Sequence, residues 1–148
     1  MVDIKNKKFK TILLTAVMCI EAFSFTAYAS ENGIVYPQAS EYIRSTSVTL
    51  KSEGSDGKLL SENKLGATRT VDKLGIKTLE IQTKINGYWR KYETLVKNSY
   101  KYDANTFIYD LYYYGTPGTE YRTYVEFYVE NDDGSEIKIV VSSPVTAK

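Results

Sequence analysis

The clearest alternation of apolar and polar positions runs from Gly118 to Ser143, GTEYRTYVEFYVENDDGSEIKIVVSS. Tyr121, Thr123, Val125, Phe127 and Val129 fall on one face, and Arg122, Tyr124, Glu126, Tyr128 and Glu130 on the other. A period of two belongs to a strand, whose successive side chains point to opposite faces. Asn131-Asp132-Asp133-Gly134 supplies turn chemistry, because Asn, Asp and Gly accept the positive φ of tight hairpins. The return strand sets Ile137, Ile139 and Val141 against Lys138, Val140 and Ser142, and Pro144 ends it. The pattern predicts that Val125 and Phe127 are core, with Ile137, Ile139 and Val141 packed beside them. Tyr124 and Tyr128 are left on the outer face.

Residues 41–51 are expected to form a first strand, and 52–57 (SEGSDG) a turn. Residues 58–69 read as a strand broken at Gly66, or else as a helical turn. Residues 70–75 read as a connection with room for one short helical turn between Thr70 and Gly75. Residues 76–85 alternate well, and Asn86-Gly87 after them is a strong hairpin signal. The faces of 88–96 are less cleanly sorted, so a bulge is expected there. A polar connection over 97–105 leads to a strand at 106–114, and Gly115-Thr116-Pro117-Gly118 turns the chain into the opening hairpin. About seven strands separated by turns, with no long helix, predict an all-β antiparallel sandwich.

The N-terminus changes the setting. Lys5, Lys7, Lys8 and Lys10 precede an apolar run from Thr11 to Ile20, and Ala27-Tyr28-Ala29 has the small-x-small form of a cleavage site. These parts make a secretory signal peptide, residues 1–29, cut after Ala29. Glu21 interrupts the apolar run, which is short of the roughly twenty residues that span a bilayer. Cys19 raises a lipoprotein signal, although Met18 stands where a small residue is expected; an uncleaved anchor is another reading. Residues 30–40 read as a flexible leader and 41–146 as the β-sandwich domain, secreted to the cell envelope or the medium. No stable membrane insertion is expected after cleavage.

Composition narrows the chemistry. Taking Lys5, Lys7, Lys8 and Lys10 from 19 basic residues, and Asp3 and Glu21 from 18 acidic ones, leaves 15 against 16. A mature charge of −1 carries no nucleic-acid signature. The sole cysteine lies within the signal, so the exported part relies on its core and not on disulfides. There is no histidine, which removes Ser-His-Asp and Cys-His catalysis, the common zinc sites and imidazole switching. Of 14 tyrosines, only Tyr28 leaves with the signal.

Tyr121, near the start of the penultimate strand, resembles the tyrosine corner of immunoglobulin-like and fibronectin type III-like sandwiches. Leu79, Trp89 and Thr123 sit roughly where such domains place Cys, Trp and Cys, with Leu and Thr replacing the disulfide. The Asp-x-Gly that usually precedes the tyrosine is not matched, and Gly118 lies one position off. The signal peptide followed by YIRSTSVTL, KLGIKTLEIQ, NGYW and GTEYRTYVEFYVENDDGSE also resembles a family of small secreted proteins of unknown function from Gram-positive, clostridia-like bacteria. That resemblance covers most of the mature chain. It implies export and a β-sandwich, and it brings no activity or site residues.

The candidate chemistry is aromatic. Tyr112, Tyr114, Tyr124 and Tyr128 form a candidate binding surface, because a tyrosine offers a flat apolar face and a hydroxyl to a sugar ring or a protein partner. The competing explanation is cross-strand packing of the same rings within a sheet. Asn131, Asp132, Asp133 and Glu136 gather acceptor oxygens but match no complete calcium loop. Glu80, Glu93, Asp110, Glu126 and Glu130 offer no spacing that singles out a hydrolytic pair. Trp89 reads as core. The expectation is a secreted, non-catalytic interaction module with an unknown protein or glycan partner and neither cofactor nor metal. A carbohydrate-binding module using surface tyrosines is one alternative; a small secreted hydrolase or toxin-like effector is another.

Overall fold

The structure, a computed structural model, describes residues 40–148. The signal peptide with its cut after Ala29, and all but the last residue of the leader, lie outside the described residues. Six strands form one antiparallel sheet: β1 (Ile43–Ser52), β2 (Lys58–Ile85), β3 (Tyr88–Tyr114), β4 (Glu120–Asn131), β5 (Gly134–Val141) and β6 (Val145–Thr146).

The architecture is all-β and antiparallel, but the strand divisions differ from the expectation. Residues 70–75 and 97–105 are not connections; they are the middles of β2 and β3, which run 28 and 27 residues. Their polar composition hid this, because a ladder is made by main-chain groups and tolerates polar side chains on any face that water reaches, even beside buried residues such as Val71 and Leu74. The long hairpin bends instead of breaking. Its register shifts between Gly66 and Val71, where several β2 residues stand against one of β3. Bulges bend a strand and increase its local twist.

The bend gives β2 two sets of neighbours on one edge. Its first half pairs with β1 (Leu50↔Ser61, Val48↔Asn63) and its second half with β4 (Ile76↔Phe127, Ile81↔Thr123). The opposite edge pairs with β3 throughout. The sheet therefore curls over itself. Leu65, Ala67 and Phe107 from the first half meet Leu74, Ile76, Leu79, Val125, Phe127 and Val129 from the second in one buried cluster. A smaller cluster joins Leu50, Leu59, Ile81, Tyr121 and Ala147.

A buried polar chain runs between strands of the two halves. The Asn63 side-chain amide donates to the Tyr109 carbonyl at 2.9 Å and to Ser61 Oγ at 3.1 Å. The Thr123 hydroxyl donates to Ser61 Oγ at 3.3 Å, and the Thr123 amide to Ser142 Oγ at 3.0 Å. Leaving such a group unpaired costs about 1–3 kcal/mol, which favours the one arrangement that satisfies all of them.

The expected bulge in 88–96 is present. Register shifts at Leu79/Glu80 and Ile81/Gln82 leave Leu95 and Tyr92 of β3 without partners across the ladder. Leu95 packs against both clusters. The Tyr92 ring meets the rings of Tyr113 and Tyr121 edge-on, with centroids 6.4 and 6.1 Å apart.

Candidate functional site

The β4–β5 hairpin forms as expected, but its return strand faces the other way. Asn131 pairs with Gly134, so the loop holds two residues, Asp132 and Asp133. That length sets Val125 opposite Val140 and Phe127 opposite Lys138. Residues directly opposite share a face, so the even-numbered residues of β5 join the core side. Ile137 and Ile139 are therefore exposed, at 47% and 54%, and Val141 is exposed beside them. Their placement in the core is corrected.

The outer face of β4 and β5 is built from three cross-strand rows. Tyr128 pairs with Ile137, Glu126 with Ile139, and Tyr124 with Val141. The rows continue onto β2 and β3, where Tyr128 neighbours Gly75 and Gly75 neighbours Tyr100. Gly75 has no side chain to fill its place, and the rings of Tyr128 and Tyr100 meet across it with centroids 5.7 Å apart. Lys73 Nζ lies 4.6 Å from the Tyr100 centroid and 5.2 Å from that of Tyr128. It also pairs with Glu130 at 3.3 Å, and the Tyr128 hydroxyl donates to the same carboxylate oxygen at 2.8 Å. The Tyr128 hydroxyl bond and the Lys73 ammonium hold the Glu130 carboxyl below its usual range. Partial burial pulls the Lys73 ammonium down, but Glu130 outweighs that and leaves it raised. Partial burial and then Glu126, which accepts from its hydroxyl at 3.3 Å, push the Tyr124 phenol up. The rings are thus held in place, half-buried, next to an exposed aliphatic row.

Tyr112 and Tyr114 do not share this surface. They lie on the second half of β3, which pairs only with β2, opposite Leu60 and Lys58. The two residues are 54% and 63% exposed, and Lys58 Nζ stands 4.0 Å from the Tyr112 centroid. The four tyrosines therefore make two separate pairs, one on each half of the curled sheet. What the sequence reading missed is Ile137, Ile139 and Val141. The available signal was the turn: with a two-residue loop, the odd positions of one strand face the even positions of the other.

Trp89 is not core. It is only partly covered, and its cover is cationic: Arg122 Cζ lies 4.5 Å and Lys84 Nζ 5.0 Å from its ring. Arg122 Nε donates to Gln82 Oε1 at 2.8 Å, and Lys84 pairs with Glu120 at 2.7 Å, so both cations are positioned. Leu79 and Thr123 are buried, but they lie on β2 and β4, which are hydrogen-bonded neighbours in register Ile81↔Thr123. They do not face each other across two sheets, as a B–F disulfide does.

Several of the acidic candidates are tied into the fold. Glu136 accepts from Ser40 Oγ at 2.5 Å and from the amides of Tyr42 and Ile43 at 3.1 and 3.3 Å. Asp133 pairs with Arg69 at 3.2 Å, and Glu80 with Lys91 at 3.7 Å. Among the described residues no group of three or more acidic, histidine or cysteine side chains converges to hold a metal ion. No protein-family model, curated protein or solved structure matches the chain.

Proposed function

We propose that the protein is a secreted, non-catalytic interaction module that engages a protein partner through the outer face of β4 and β5. The observation that carries this reading is the row Ile137, Ile139 and Val141, exposed and flanked in register by Tyr128 and Tyr124. Interface cores are enriched in aromatic and apolar anchors, and aliphatic side chains offer nothing to hydrogen-bond a sugar hydroxyl. The signal peptide read in residues 1–29 accounts for export. The Tyr121 hydroxyl accepts from the Thr116 amide at 3.0 Å, which supports a distant likeness to immunoglobulin-like sandwiches through the tyrosine corner. The neighbouring positions of Leu79 and Thr123 weigh against a closer one.

A second reading rests on Tyr112 and Tyr114. Two exposed rings two residues apart on a strand can stack on successive sugar units. The test compares two variants of the full chain as bait against envelope and culture proteins of the producing cells, with a glycan array run in parallel. Protein capture that is lost in Ile139→Glu and kept in Tyr112→Ala supports the first reading. Array binding lost in Tyr112→Ala, without any protein capture sensitive to Ile139→Glu, replaces it with the second.

A further inference from the structure

The β2–β3 hairpin reaches past the neighbouring strand. β4 accompanies β2 only as far as Thr83, opposite Tyr121, so the last two rungs, Lys84↔Trp89 and Ile85↔Tyr88, join β2 and β3 alone. Asn86 and Gly87 close the loop, both at positive φ, and a Cβ at Gly87 would meet nothing within 4 Å. The end of this projection is apolar. Ile85 and Tyr88 share one face and are 51% and 69% exposed. Trp89 lies on the other face, partly covered.

Cations stand behind the tip on both faces. On the first, Arg90 lies two positions back, opposite Thr83, with Cζ 5.9 Å from the Tyr88 ring centroid. On the second, Lys84 and Arg122 flank the Trp89 ring. Lys84 is matched by Glu120, and Lys91 behind it by Glu80. Arg90 and Arg122 have no carboxylate partner among the described residues.

This order of side chains fits one kind of medium. Small-molecule sites are concave, whereas this apolar surface is the end of a projection. A projecting tip is buried by a medium that yields around it. At a bilayer boundary aliphatic groups lie deepest, tyrosine and tryptophan rings sit at headgroup level, and long basic side chains reach back to the phosphates. From the loop to the Lys84↔Trp89 rung is roughly 7 Å by strand rise. Interfacial segments sink roughly 5–10 Å. Deeper entry is opposed, because the outward main-chain groups of both strands would lose their water in the hydrocarbon core.

We propose that the tip of the β2–β3 hairpin docks on an anionic lipid surface, with Ile85, Tyr88 and Trp89 at the headgroup boundary and Arg90 and Arg122 on lipid phosphates. Negative lipids supply the charge that these two guanidinium groups lack within the chain. Few groups enter, so the attachment is shallow, reversible and weakened by salt. This goes beyond the partner-binding reading and is independent of it.

Trp89 is the only tryptophan, so its emission reads this tip and no other contact of the chain. The test adds vesicles of phosphatidylcholine, alone or mixed with phosphatidylglycerol, to the full chain. Expected with the mixed vesicles only is a saturable blue shift, reversed by salt, with quenching by lipids brominated near the headgroup. Arg90→Gln and Tyr88→Ser should each weaken the binding at least about threefold. Circular dichroism confirms that both variants are folded. No shift with the mixed vesicles, an equal shift with phosphatidylcholine alone, or binding unchanged in both variants would overturn the proposal. So would a chain that sediments with the vesicles while Trp89 stays unshifted, the result of attachment through residues 11–20.

Discussion

The Tyr121 ring occupies the space that a side chain at Gly115 would need: a Cβ there would lie 2.5 Å from Cε2 of Tyr121. The same tyrosine closes the turn, because its hydroxyl accepts from the Thr116 amide at 3.0 Å. Tyr113 and Tyr92 hold the ring edge-on, at 5.7 and 6.1 Å between centroids. A ring fixed at its tip and on its faces cannot yield to a methyl group. Gly115→Ala is therefore expected to cost about 1–3 kcal/mol, as overpacking does. Tyr121→Phe should cost about 1 kcal/mol, the net worth of one hydrogen bond. Urea unfolding of both variants measures this, and wild-type stability in Gly115→Ala would contradict the fixed ring.

The orientation of β5 makes a sharper comparison. Ile139 and Phe127 are both large and apolar, but one is exposed and the other fully buried. Ile139→Thr should change stability by no more than about 0.5 kcal/mol, as surface substitutions do. Phe127→Ala should cost about 3–5 kcal/mol through lost transfer energy and a cavity. Equal costs would restore Ile139 to the core.

Much of the hairpin was legible in the sequence, including its turn and the core row of β4 that begins at Tyr121. The facing of β5 was not, because both of its faces carry apolar residues: Val140 on one, Ile137, Ile139 and Val141 on the other. The loop length broke the tie, and Asn131-Asp132-Asp133-Gly134 can close as a loop of two residues or of four. The continuity of β2 and β3 was hidden for a different reason. TVDKLG and KNSYKYDAN carry the polar and glycine signals of connections, yet here they pair as ladder. Trp89 was misplaced because ring size suggests burial, whereas two cations, Lys84 on β2 and Arg122 on β4, cover it at the sheet surface.

Alkaline pH tests the aromatic cluster. Burial, followed by the neighbouring Tyr121 and Tyr92, pushes the Tyr113 phenol from 10.0 up to about 12. The folded chain then holds this proton more tightly than the unfolded chain. The stabilisation is fully present below pH 10 and is lost as pH rises from 10 toward 12. Melting temperature should fall through that window, and less steeply in Tyr113→Phe. An identical slope in the variant would place the titration elsewhere.

Trp89 is the only tryptophan in the chain, so its emission reports on its own cover. Removing Arg122 exposes one ring face and deletes a cation–π contact worth about 0.5–1 kcal/mol at a surface site. Arg122→Ala should shift the emission to the red, with a stability loss of that order. An unshifted spectrum would mean that Arg122 does not cover the ring in solution.

The outer face of β4 and β5 as the binding surface is the central claim. The most direct measurement places a photoreactive benzophenone side chain at position 139, and separately at position 112, in the protein as made by living cells. Expected is an adduct with another protein from position 139 and none from position 112. Adducts from position 112 alone, or from neither position, would contradict the assignment.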